Sequence, residues 1–119
     1  LDFVIREARL QDTKNRQNSI EIDNDVLAAT WAERQERVAE MAREVYDWAI
    51  ARGIAKEQAR VVLPEGLTPT RMYVNGTVRS WIHYLELRLG NGTQKEHREV
   101  AHACACALRE IFPCVPDAV

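Results

Sequence analysis

DVLAATWAERQERVAEMAREVYDWAIAR, residues 25–52, is the longest patterned segment of the chain. Its apolar and aromatic positions Leu27, Trp31, Val38, Met41, Val45 and Trp48 fall on three- and four-residue spacings, the signature of one amphipathic helix. At the α-helical rise such a helix runs roughly 40 Å. Gly53 is suited to the position just past its end, where a left-handed backbone is common. Two readings of so long a helix are open: it spans its own domain, or part of its apolar face packs on a partner subunit.

Downstream of this helix, Lys56 to Leu63 reads as a short helix or turn closed by Pro64-Glu65-Gly66. Thr70 to Asn75 alternates, with Met72 and Val74 on one face and Arg71 and Tyr73 on the other, and predicts a strand. A helix from Thr77 to Leu89 would bury Val78, Trp81, Ile82 and Leu85 and stop at Gly90-Asn91-Gly92. The last helix starts at Thr93, which has capping-box spacing to Glu96. Val100, Cys104, Ala107, Leu108 and Ile111 would line one of its faces before Pro113 closes it. Upstream, Leu1 to Arg9 mixes Phe3, Val4 and Ile5 with charge and predicts a short strand. Gln11 to Asn18 is a polar tract with no apolar side chain, either an exposed loop or a ligand-facing one. The chain opens in strand-like sequence without an initiator Met, so the expectation is a piece of a longer protein.

With 119 residues the chain fits one domain, residues 1–119, and 46% hydrophobic against 29% charged residues is ordinary for a globular protein. No apolar run approaches the roughly 20 residues that span a bilayer, and the chain reads as cytoplasmic, with no membrane partner. A net charge of −2 provides no global positive field for a nucleic-acid backbone, so anion binding would fall to local arginine clusters. Of the 3 cysteines, Cys104 and Cys106 stand two apart on a predicted helix, pointing to different faces and favouring reduced thiols. His83, His97 and His102 lack partners at metal-ligand spacing, and no metal is expected.

The arginines are the first anomaly. Arg88 stands three residues after Leu85 and seven after Trp81, on or beside an apolar helix face. An unpaired charge there is costly, so either its stem packs while the guanidinium reaches solvent or a glutamate, or it meets an anionic or polar ligand. Arg98 has the small Ala101 and Ala105 at i+3 and i+7, leaving room for a ligand to approach. Arg6, Arg9, Lys14 and Arg16, interleaved with Gln11, Asn15, Gln17, Asn18 and Ser19, concentrate the donors that a phosphate and a pyrimidine edge require.

TVRSWIHYLELR at 77–88, followed by QKEHREVA at 94–101, resembles the flavin-dependent thymidylate synthases. That family reads N-x-R-S-x-x-H-F-x-x-x-R and then A-Q-x-E-I-R-x-x-A. ARVVLP at 59–64 is similar to its A-R-x-x-L-P segment, so three segments agree in order and spacing. The family signature is R-H-R, seven residues and Ser. Here Arg9-Leu10-Gln11, seven residues and Ser19 keep the spacing, with Arg16-Gln17 where the family has N-E and Glu21 where it has an Arg.

The resemblance implies an α+β fold, a small sheet flanked by long helices and predominantly helical in this segment, of the thymidylate synthase-complementing type. It implies that the chain is the C-terminal, active-site-bearing part of such an enzyme, methylating dUMP to dTMP. FAD would be the cofactor, with NADPH and methylenetetrahydrofolate as co-substrates. Carried over by position, the dUMP contacts are Arg6, Glu7, Ala8, Arg9, Gln17, Asn18, Ser19, Glu21, Arg71 and Arg98, with Arg98 also the catalytic residue that activates the uracil ring. The FAD contacts are Arg9, Leu10, Gln11, Gln17, Leu87, Arg88, Leu89 and Thr93. The assembly implied is a homotetramer with active sites shared between subunits. The competing expectation from another class is a non-catalytic nucleotide- or RNA-binding helical module using the same arginines; a purely structural oligomerisation domain would leave the spacing of Arg88 and Arg98 as coincidence.

Overall fold

The computed structural model describes residues 1–113 and Val115. Cys114, the third cysteine, lies outside the described residues. The fold is α+β and dominated by helix, with a small two-stranded antiparallel sheet. The chain forms two compact units, one from 1–8 and 22–72, the other from 9–21 and the residues from Tyr73 onward.

In the first unit, helix α1 spans Asp25–Ala51. Asn24 caps its start by accepting the Leu27 N–H at 2.9 Å. Gly53, at φ 78°, ends it: its N–H reaches the Ile50 carbonyl while the Ile54 N–H reaches Ala49, the paired bonds of a Schellman stop. Within the unit α1 buries Ala39, Ala42 and Ala49 together with the polar Gln35. The large stripe that identifies the helix in the sequence stays outside: Trp31, Val38, Met41 and Trp48 are all exposed. Gln35 fastens the chain's first residues to α1, accepting the Arg6 N–H at 2.9 Å and donating to the Arg6 carbonyl at 2.8 Å. Arg43 adds a bond to the Leu1 carbonyl and lies over the Phe3 ring. Residues 1–8 are therefore not a strand, and only Arg9 of the predicted segment enters one. Helix α2, Lys56–Ala59, runs into a 3-10 turn at Arg60–Val62 and packs on α1 through the buried Ala59.

Residues 70–75 form no strand either. Met72, Tyr73 and Val74 are exposed; their alternation sets two faces but supplies no ladder partner, and an unpaired strand is not stable by itself.

In the second unit, strands β1 (Arg9–Gln11) and β2 (Ser19–Glu21) pair antiparallel, with Arg9 opposite Glu21, Leu10 opposite Ile20 and Gln11 opposite Ser19. Helix α3, Val78–Arg88, is capped by Thr77, whose hydroxyl oxygen accepts the Ser80 N–H. It packs on α4, Lys95–Arg109, through a core of Leu85, Ala101, Ala105 and Val115. The two alanines are fully buried and let the helices approach closely. Val100 and Ile111, expected on the covered face of α4, are exposed: the apolar stripe of the sequence is wider than the seam that α3 covers. The capping box is absent. Thr93 is buried and hydrogen-bonds the Leu87 carbonyl, Gln94 holds the cap position, and Glu96 is engaged elsewhere. Among the described residues no helix is long and apolar enough to cross a membrane.

Candidate functional site

The polar tract is the turn of the β1–β2 hairpin, shaped by one carboxylate. Asp12 accepts the backbone N–H of Lys14 at 2.8 Å and of Asn15 at 3.2 Å, and the Asn18 side-chain amide at 3.2 Å. These donors, the Lys14 N–H foremost, hold the Asp12 carboxyl below the ordinary aspartate range. Gln11 donates to the Arg16 carbonyl, and Gln17 N–H to the Asn15 side chain. A tract without apolar side chains keeps a shape because its polar groups satisfy one another.

Two ion pairs join this hairpin to the first turn of α4, across separations no local rule anticipates. The Arg9 guanidinium donates to the Glu96 carboxylate, with the arginine side chain 11% exposed. Lys95 Nζ lies 2.9 Å from the Glu21 carboxylate. The Lys95 hydrogen bond and charge, helped by Arg9, bring the Glu21 carboxyl below its ordinary range. Each pair sets a cation against a carboxylate and ties the hairpin to the helix.

A hollow of about 350 Å³ opens between hairpin and helix, lined by Arg9, Asn18, Ser19, Glu21, Asn91, Lys95 and Arg98. A second, of about 460 Å³, shares Arg9, Asn18 and Ser19 with it and extends over Gln11, Arg16, Gln17, Arg88, Gly92, Thr93, Gln94 and His97. Arg88, the last residue of α3, lines it and is exposed. Behind it, Tyr84 packs edge-on to Trp81 and near the His97 ring, and burial raises its phenol above the usual tyrosine value.

Of the residues the sequence nominates, Arg9, Asn18, Ser19, Glu21 and Arg98 meet at the first hollow, and Arg9, Gln11, Gln17, Arg88 and Thr93 at the second. Leu10 and Leu87 are exposed and Leu89 packs against the α3–α4 core. Arg6, Glu7, Ala8 and Arg71 belong to the first unit. Ala101 and Ala105 serve a different purpose from the one expected: they are the α3–α4 seam, and the space beside Arg98 comes instead from the hairpin and the loop at Asn91. Lys95, Glu96 and Asn91 were not nominated. Their signal in the sequence was confined to helix start and stop, and their partners stand far away along the chain.

The donor set of the second hollow, with Arg16, Arg88 and His97 beside amides and a glycine, suits an anionic cofactor carrying phosphates. That of the first, Arg9, Lys95 and Arg98 with the Glu21 carboxylate, Ser19, Asn18 and Asn91, suits a small polar molecule that both accepts and donates hydrogen bonds.

The sequence model of the family described as thymidylate synthase complementing protein matches residues 2–114. The chain is 46% identical over 113 residues to the probable flavin-dependent thymidylate synthase of Paramecium bursaria Chlorella virus 1, covering 95% of this chain and 52% of the relative. It is 46% identical over 118 residues to the flavin-dependent thymidylate synthase of Synechocystis sp., covering 99% and 54%. The enzyme of that name from Mycobacterium tuberculosis is 30% identical over 91 residues, covering 76% and 36%. The chain thus spans about half the length of the first two relatives. A match running through both the hairpin and the α3–α4 pair, across nearly all of the sequence, shows that the chain belongs to the thymidylate synthase complementing protein family.

Proposed function

We propose that this chain bears the active-site part of a flavin-dependent thymidylate synthase that methylates dUMP to dTMP. One observation carries the reading: Arg9, Asn18, Ser19 and Arg98, nominated from separate segments, line one polar hollow, and a second cation-rich hollow adjoins it through Arg9, Asn18 and Ser19. Membership of the family and the names of the relatives support the same activity.

In this reading the first hollow takes the nucleotide. Arg9 and Ser19 bind its phosphate and sugar side, with Gln17 and Asn18 beside them, and Arg98 faces the N3 and O4 edge of the uracil. Uracil C5 is a weak carbon nucleophile. A fixed guanidinium at N3 and O4 stabilises the negative charge that develops there and raises electron density at C5, so no cysteine nucleophile is required. Arg9, Leu10, Gln11, Gln17, Leu87, Arg88, Leu89 and Thr93 would hold FAD, with the Arg88 guanidinium supplying charge for its phosphates. When bound, the flavin supplies the hydride, methylenetetrahydrofolate the carbon, and NADPH the electrons that regenerate the flavin. Arg6, Glu7, Ala8 and Arg71 complete dUMP binding in a homotetramer with shared sites, and the exposed stripe of α1 is the face on which copies assemble.

The test is an absorbance spectrum of the protein in its full natural length, titrated with dUMP. A bound oxidised flavin whose bands shift saturably with dUMP is the expected result. Absence of flavin binding after incubation with FAD would overturn the reading, and dUMP binding without flavin would indicate a non-catalytic nucleotide-binding module.

A further inference from the structure

Along α1 the residues Trp31, Arg34, Val38, Met41, Val45 and Trp48 follow one another at alternating steps of three and four, the repeat of a heptad seam. All are exposed, and all but Arg34 are apolar. At the helical rise the seam runs roughly 25 Å. One flank of it, Gln35, Ala42 and Ala49, is buried within the unit. On the other flank Arg37 and Glu44 are exposed and, among the described residues, have no ion pair. The middle of the seam is hollowed: Val38, Met41 and Val45 line a groove of about 570 Å³ with Val62 and the arginines Arg34 and Arg37.

We infer that this face of α1 takes a second copy of the same helix, antiparallel about a two-fold axis, with the register fixed by Arg37–Glu44 ion pairs between the copies. The inference deepens the proposed assembly of copies through α1 and rests on that reading. The seam is complementary to itself in one register. Val38 then meets Met41 of the second copy over the groove, Arg34 meets Val45 and Trp31 meets Trp48, and the two-fold makes each layer twice. The same register sets Arg37 opposite Glu44 at both ends. A slip by one heptad in either direction would set Arg37 against Arg37 or Glu44 against Glu44. Parallel helices would set Arg34 against Arg34 and turn Arg37 toward the flank that is already buried at Ala42. Charge and burial thus select one orientation and one register. In it the Arg34 stem packs on Val45 while its guanidinium reaches the rim.

The test is sedimentation of the full-length protein and of Arg37→Glu, Glu44→Arg and the two reversals combined. Each single reversal sets like charges opposite one another at two places and should weaken association about ten- to a hundredfold, with the circular dichroism of the fold unchanged. The combined reversal should return association to within about threefold of wild type. Oxidative cross-linking gives a second readout. Trp31→Cys combined with Trp48→Cys should link copies into dimers beyond the wild-type background, whereas Trp31→Cys alone should not, because antiparallel helices keep the two Trp31 positions far apart. Association indifferent to the single reversals overturns the inference and leaves assembly through another pairing standing. So does a combined reversal no better than the single ones, or linkage through Trp31→Cys alone, which would mean parallel helices. A wild-type monomer at micromolar concentration overturns both the inference and the assembly reading.

Discussion

Asp12 shows how one side chain shapes the site without lining it. Its carboxylate gathers two backbone N–H groups and an amide, and the resulting turn sets Asn18 and Ser19 beside Arg9. Its folded pKa is depressed, as is that of Glu21, whose chief cause is the Lys95 hydrogen bond. A depressed carboxylate pKa contributes stability that is present above the unfolded value and is lost as pH falls through the folded value. The hairpin should therefore be unchanged from neutrality down to about pH 4, then loosen below the ordinary carboxylate range. Following the Lys14 and Asn15 amide resonances during acid titration checks this: their midpoint should lie below that of an unperturbed aspartate, and an ordinary midpoint would show that the N–H bonds to Asp12 do not persist in solution. The residue scale was also the least legible in the sequence. Arg9, Ser19, Arg88 and Arg98 stood out as donors. Their controlling partners did not, because Arg9 meets Glu96 and Glu21 meets Lys95 across most of the chain, and helical spacing alone assigned Glu96 to a cap.

Element by element, the local signals worked where the chain itself supplies the partner. Gly53 ends α1 where the sequence expects a stop, while the caps at Asn24 and Thr77 are found in the structure. The strand expected at 70–75 needed an edge to pair with, and the stripe on α1 needed a covering surface; periodicity specifies a face but not what meets it. The α3–α4 seam is the element on which the site depends, because Arg88 ends one helix and Arg98 stands in the first turn of the other. Leu85, 1% exposed, fills that seam against Ala101 and Ala105. Leu85→Ala should cost about 2 to 5 kcal/mol in urea unfolding and weaken ligand binding as well, since the two arginines lose their common support. Val100→Ala, on the exposed side of α4 at 56%, should stay within about 0.5 kcal/mol. Equal losses from the two substitutions would show that the seam is misplaced.

For the molecule as a whole, a net charge of −2 provides no general field for polyanions, and three of the 16 Lys and Arg residues, Arg9, Lys95 and Arg98, line the first hollow together with Glu21. The family and the helix-dominated α+β fold were both legible in the sequence, because three separated segments kept their order and spacing and because α1 is long and strongly patterned. In the proposed function, Arg98 acts on the ring of a nucleotide held in the hollow it lines. Single-turnover formation of dTMP by the pre-reduced, full-length protein tests this most directly, because it isolates carbon transfer and hydride delivery from flavin reduction by NADPH. Arg98→Ala should bind dUMP within about tenfold of wild type yet form dTMP at least about a hundredfold more slowly, the magnitude expected when a donor acting mainly in the transition state is removed. Arg98→Lys should be impaired too, since it keeps the charge but not the planar fork. Formation of dTMP by Arg98→Ala at the wild-type rate would show that Arg98 does not activate the uracil ring.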